Sequence, residues 1–177
     1  MIFPSRKLAL KSPFPPADTA RLLQGAVRPR RGWWSQVWSR GAGNFMGEVT
    51  ENSFDIVRDI PGRNSFLPNV RGTIVSDIVG SRINVYMKMH ASTTGFMAIW
   101  LFFTVFGLLD AGRVWYGAWK AGKHMDPHFC IIIGSMAVFG FLLMHFSFRP
   151  EAKRAENFLK ETLKAEVDPS TGRDRAL

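Results

Sequence analysis

His124 and His128 stand four residues apart with Asp126 between them. On a helix that spacing stacks two imidazoles on one face, where they can share a metal ion. A metal-dependent membrane enzyme is one reading of this pair. Against it, Pro127 disturbs the backbone between the two rings, and neither a glutamate base nor a third firm ligand accompanies them. Interface histidines are the plainer expectation, so no metal and no cofactor are assigned. Other reactive side chains are sparse. Cys130 is the single cysteine, which excludes an internal disulfide, and it sits in an apolar run where it reads as a small apolar residue. His145 lies in the same run, where a polar group marks either a conduction path or a hydrogen bond to a neighbouring helix; the second is expected. Asp55, Asp59 and Asp77 are scattered over strands and turns as surface charges. With no phosphate loop, nucleophile elbow or carboxylate pair, no catalytic residue is assigned, and the reading leans away from an enzyme.

A second conspicuous group is RPRRGWWSQVWSRG, residues 28 to 41, with four arginines and three tryptophans. Lys and Arg total 23 against 14 Asp and Glu, a formal charge of +9 that favours polyanions, either nucleic acid or an anionic membrane surface. The apolar residues decide between them. They make up 46% of the chain but crowd between positions 95 and 148. Nucleic acid is not the expected partner, because no recognition helix or stacking motif accompanies the scattered basic residues. The amino terminus lacks an apolar run long enough for a secretory signal, so nothing before residue 90 is expected to cross a membrane by itself.

The elements that must hold these groups follow from the same crowding. ASTTGFMAIWLFFTVFGLL, residues 91 to 109, carries no charge; FCIIIGSMAVFGFLLMHFSF, residues 129 to 148, has only His145 and the Cys130 thiol as titratable groups. Each matches the roughly 20 residues that cross a bilayer core as a helix, and each is apolar around its whole circumference. A short connection makes them an antiparallel transmembrane hairpin. Within it Trp115, Tyr116 and Trp119 suit a membrane interface, Asp110 and Arg113 extend the first helix, and Asp126-Pro127 begins the second. Arg113, Lys120 and Lys123 lie in the connection. Arg71, Arg82, Lys88, Arg149, Lys153, Arg154, Lys160 and Lys164 lie on the other side, eight against three. That bias places both termini in the cytoplasm of a bacterial inner membrane. Gly107, Ala111, Gly134 and Gly140, with His145, are the expected helix-contact positions.

Residues 1 to 90 read as a basic cytoplasmic α+β domain: a small antiparallel sheet with one helix against it. PPADTARLLQGAV supplies the helix from near Pro16, and LALK a possible strand before it. Strands follow at Phe45–Val49, around SFDIVRD, at FLPNVRGTIVSD, where Pro68 implies an edge or a bulge, and at SRINVYMKM. The last alternates Ile83, Val85, Met87 and Met89 with Asn84, Tyr86 and Lys88, one face buried and one wet. Residues 91 to 148 form the hairpin. Residues 149 to 177 form an amphipathic helix, apolar at Ala152, Ala155, Leu159 and Leu163, followed by a disordered tail, DPSTGRDRAL. With the sheet tethered near the bilayer, Arg28, Arg30, Arg31, Trp33, Trp34 and Trp38 are expected at the membrane interface, with one ring or another capping the sheet's core instead.

RNSFLPNVRGTI, residues 63 to 74, followed by INVYMKMH and then a span, resembles a group of small bacterial two-span membrane proteins. SPFPPADTARLL is similar to that group's opening helix, and the resemblance covers residues 7 to 148. It implies a short sheet ahead of two transmembrane helices and carries no activity. Arg63, Asn64, Pro68 and Gly72 are the matching positions; their plain structural roles are a turn closed by Asn64 and a bulge permitted by Gly72. The resulting expectation is a non-enzymatic inner-membrane protein whose tethered domain binds a protein partner or the lipid surface, for example an immunity or accessory subunit. The alternatives are an oligomeric transporter or channel component built from the hairpin, and the metal-dependent enzyme.

Overall fold

The computed structural model describes residues 3–30, 44–60, 64–123 and 128–168. Its elements run β1 (Ser5–Ser12), α1 (Pro16–Ala26), β2 (Arg28–Pro29), β3 (Phe45–Val49), β4 (Ser53–Arg58), β5 (Pro68–Ser76), β6 (Ser81–Met89), α2 (Ala91–Lys120), α3 (His128–Leu163) and β7 (Glu166–Val167). The chain divides into two units. One gathers the described residues up to His90 with those from Ser147 onward; the other is Ala91–Phe146.

In the first unit a seven-stranded sheet runs β2-β3-β4-β5-β6-β1-β7. Neighbours are antiparallel except β2 and β3, which are parallel. The class is α+β, as expected, but the sheet is larger than a meander and mixed. Its first strand returns beside β6, so the sheet joins residues far apart in sequence. Alternation dictates its two faces. Along β6, Ser81, Ile83, Val85, Met87 and Met89 are buried while Asn84 and Tyr86 are exposed. Paired residues share a face, so Leu8, Leu10, Val70, Ile74, Phe54 and Ile56 lie on the same inner side.

Two helices, not one, cover that inner face. Helix α1 starts with proline in its first turn, where a missing N–H costs nothing, and buries Thr19, Ala20 and Leu23. The Thr19 hydroxyl lies 2.9 Å from that of Ser81. The second cover is the C-terminal half of α3, whose Ala152, Ala155, Leu159 and Leu163 are buried. These are the apolar positions of the expected amphipathic helix, yet that helix is not a separate element: α3 is continuous from His128 to Leu163 and runs through Pro150. One lost backbone bond is tolerable there because packing on the sheet fixes the residues that follow. The ring of Phe158 stacks on Phe45 at 4.2 Å between centroids, and Ser12 Oγ donates to the Leu163 carbonyl at 2.8 Å.

Two buried glutamates lock the same helix to the sheet. Glu151 accepts from Arg58 Nη1 at 2.9 and 3.0 Å and also meets Arg154. Glu156 pairs with Arg6 and with Lys160. A buried carboxylate is expensive unless paired and hydrogen-bonded, and each here has two cations.

Four expectations are corrected. Pro68 marks neither an edge nor a bulge: it opens β5, between β4 and β6, in regular register with Met89. The first residue of the expected disordered tail is structured, because Asp168 is buried and its N–H donates to the Ala9 carbonyl; the remainder lies outside the described residues. Asp59, read as a surface charge, is buried. Residues 110–120, read largely as connection, belong to α2.

In the second unit α2 and the first part of α3 run antiparallel. A side chain at Gly107 would meet Ile133 at 3.7 Å, one at Gly134 would meet Leu108 at 3.9 Å, and one at Gly140 would meet Trp100 at 3.1 Å. As position rises on one helix it falls on the other. Both helices are long and apolar enough to cross a membrane, with 11% of each apolar window buried.

Candidate functional site

The helix-free face of the sheet carries an open cleft of about 780 Å³. Its walls come from rows of side chains set by register. One row crosses four strands as Asp55, Arg71, Tyr86 and Lys7. The next is Ser53, Thr73, Asn84 and Ala9. Each residue alternates with a buried one on its strand, which is why the same short strands build both a core and a polar cleft.

The charges on this face are unequal in their pairing. Arg71 Nε donates to Asp55 Oδ2 at 2.8 Å. Asp168, almost fully buried, pairs with Arg82 at 3.1 Å and with Lys11 at 3.7 Å. Lys7 and Lys88 have no carboxylate partner among the described residues. Both instead flank one ring, their ammonium groups 5.6 and 5.9 Å from the centroid of Tyr86. Cations over an aromatic face are held by its quadrupole. The arrangement is a pair of free ammonium groups around an exposed phenol, with a guanidinium on the adjoining strand. It can take an anion with several oxygens; it contains no nucleophile–base pair.

Of the expected site residues, Arg28 and Arg30 are exposed, on and just after β2. Arg31, Trp33, Trp34 and Trp38 lie outside the described residues, as do Arg63, His124 and the Asp126-Pro127 start of the second helix. Trp115, Tyr116 and Trp119 are exposed on α2; Tyr116 and Trp119 sit 6.0 Å apart, with Lys120 over the Tyr116 ring. Gly107, Gly134 and Gly140 lie against the facing helix, and Ala111 is buried. His145 is a correction. Its Nδ1 lies 3.0 Å from the carbonyl of Phe141, one turn earlier on its own helix, and the bond does not cross the hairpin. Thr104 and Ser135 likewise bond carbonyls of their own helices. Among the described residues no cluster of His, Cys, Asp or Glu could hold a metal.

Two motif residues have structural roles. Asn64 Oδ1 accepts the N–H of Phe66 at 3.0 Å, closing a turn. Gly72 corresponds to no bulge, since β5 keeps its register on both sides. A Cβ there would lie 2.2 Å from Phe54 Cζ, so glycine makes room for an aromatic ring laid across the strand.

Sequence reasoning did not single out Lys7, Arg71, Tyr86, Lys88, Thr73 or Asn84 as a site. The signal for three of them was present: the alternation in INVYMKM sets Asn84, Tyr86 and Lys88 on the wet face. Their partners on β1 and β5 are visible only through register. No family model, curated protein or solved structure matches this chain.

Proposed function

We propose that this chain is a non-enzymatic, membrane-anchored binding protein of a bacterial inner membrane. Helices α2 and α3 cross the bilayer as a hairpin, both termini lie in the cytoplasm, and the open face of the sheet engages a partner held at the inner leaflet. The observation that carries the reading is the outward surface of the two helices. Phe96, Ile99, Phe102, Phe103, Phe106 and Leu109 on α2 are each 60–65% exposed, and Phe129, Ile131, Val138 and Phe139 on α3 are comparable. Burying such a side chain is worth about 1.5–3 kcal/mol. Summed along both helices, the burial forgone in water rivals the whole stability of a domain, about 5–15 kcal/mol. The core helix of a soluble protein is mostly buried; lipid supplies the missing cover here.

The basic residues on the sheet side of the hairpin support the orientation. The cleft, with donors and acceptors but no catalytic constellation, supports binding rather than turnover. Fractionation tests the anchor. The full-length chain is expected to stay with membranes through alkaline carbonate washing and to need detergent for extraction, with reporters fused at either end reading as cytoplasmic. Recovery as a monodisperse species from the aqueous phase without detergent overturns the proposal.

A further inference from the structure

We propose that Lys7, Tyr86 and Lys88 bind the phosphate of an anionic phospholipid headgroup; the inference rests on the membrane-anchored reading above. Three observations converge on it. The first is charge. Arg6, Lys11, Arg58, Arg71, Arg82 and Lys160 all have carboxylate partners, while Lys7 and Lys88 have none among the described residues. Two like charges near one ring repel, an anion relieves that repulsion, and exposed Tyr86 supplies a neutral hydroxyl donor on the same ring.

The second observation is position along the chain. Lys88 precedes the first residue of α2, Ala91, by three residues. Three residues of extended chain span about 10 Å, comparable with the headgroup layer outside the hydrocarbon. A lysine side chain therefore reaches lipid phosphate once α2 enters the bilayer. The same chain link selects a lipid over a free phosphate, because three residues tether Lys88 to the helix proposed to enter the bilayer.

The third is the cleft. Beyond the phosphate position, Thr73 and Asn84 form the next row of an opening of about 780 Å³. Ligand sites run about 300–1,000 Å³, so a glycerol or sugar headgroup has room there, with Thr73 and Asn84 as neutral partners beside the charged Glu48, Asp55 and Arg82 that also line the cleft.

Lysine acylation footprinting of the full-length protein, reconstituted into phosphatidylcholine vesicles with and without phosphatidylglycerol, tests the proposal. Acylation of Lys7 and Lys88 is expected to slow about fivefold in the anionic vesicles, the factor for one basic residue at an anionic surface. Paired Lys11 and Lys160 are expected to be unchanged. Lys7→Gln combined with Lys88→Gln should weaken binding of a short-chain phosphatidylglycerol to the detergent-solubilised chain about 25-fold, and the footprint on the unaltered chain stands whether or not this variant folds. If the chain floats with both vesicle types but its lysines react alike, the headgroup site is refuted while the anchor stands. If it floats with neither, the anchor fails and takes this inference with it. Equal protection by inorganic phosphate in zwitterionic vesicles, or protection seen only in native membranes, refutes the lipid and assigns the cluster to a soluble anion or a protein.

Discussion

Leu159 and Phe102 are both large apolar residues on helices, and the structure gives them opposite fates. Leu159 is fully buried under the sheet, whereas Phe102 is 64% exposed on α2. Truncating Leu159 to alanine removes three carbons at about 0.8 kcal/mol each and leaves a cavity, so the loss should fall at about 3–4 kcal/mol. For a chain of this size each kcal/mol lowers the midpoint by about 2–4 °C, giving a drop of roughly 6–16 °C. With α2 in lipid as proposed, Phe102→Ala exchanges protein–lipid contact for lipid–lipid contact and should move the midpoint by no more than about 2 °C. In a soluble protein with Phe102 in its core, the same change would cost about 3–5 kcal/mol. The assay is thermal unfolding of both variants in lipid nanodiscs, followed by protease resistance of the sheet. Equally large losses would refute the lipid exposure of α2, and equally small ones the packing of α3.

Other substitutions probe separate joints. Gly72→Ala forces a methyl into the Phe54 ring and should cost about 1–3 kcal/mol by denaturant titration, with Phe54→Leu in the same chain recovering most of it. Glu156→Leu leaves Arg6 and Lys160 without their carboxylate and should destabilise the sheet by about 1–3 kcal/mol, less than a fully buried pair because Arg6 is partly solvated; restored protection on adding Arg6→Met would show the charge to be the cause. Asp168→Asn removes the counter-charge of Arg82 and Lys11 and should raise amide exchange along β1 while leaving β4 unchanged. Gly140→Leu pushes against Trp100 and should reduce crosslinking between cysteines placed at Gly107 and Ile133 in a Cys130→Ser background.

The parts of the fold legible in the sequence are those with a local period. INVYMKM declares its buried and wet faces by alternation, and α1 announces itself through Pro16 and its spaced apolar residues. The run at Ala152, Ala155, Leu159 and Leu163 marks the face that meets the sheet. What stayed hidden is long-range. No local pattern tells β1 to pair with both β6 and β7, or tells Asp168 to meet Arg82 across half the chain. Gly72 looks like a flexible point until register sets Phe54 opposite it. Pro150 looks like a break because the sheet on which the following residues of α3 pack is remote in sequence. The candidate site divides the same way. Tyr86 and Lys88 were visible as wet residues, but Lys7 joins them only because residues 5–12 fold back beside residues 81–89.

That fold-back also constrains how the hairpin can lie in a bilayer. The sheet unit takes its residues from both sides of the hairpin: β1 to β6 before it, and the end of α3 with β7 after it. Glu151 reaches Arg58, Glu156 reaches Arg6, and Asp168 reaches Lys11. A membrane cannot divide those pairs. With crossing as proposed, the number of crossings between His90 and Ser147 must be even, so neither helix can cross without the other. Packing thus requires both flanks to share one side, while the side proposed rests on the basic residues. The two arguments are independent and separately testable. Arg58→Cys with Glu151→Cys in a Cys130→Ser background should be joined by a short bifunctional thiol crosslinker in intact membranes, whatever the charge of the loop. Adding lysines to residues 120–123 should weaken the preference for a cytoplasmic sheet without breaking that crosslink. Loss of the crosslink in membranes, with reporters at the two ends on opposite sides, refutes the shared-side argument and the packing of α3 together.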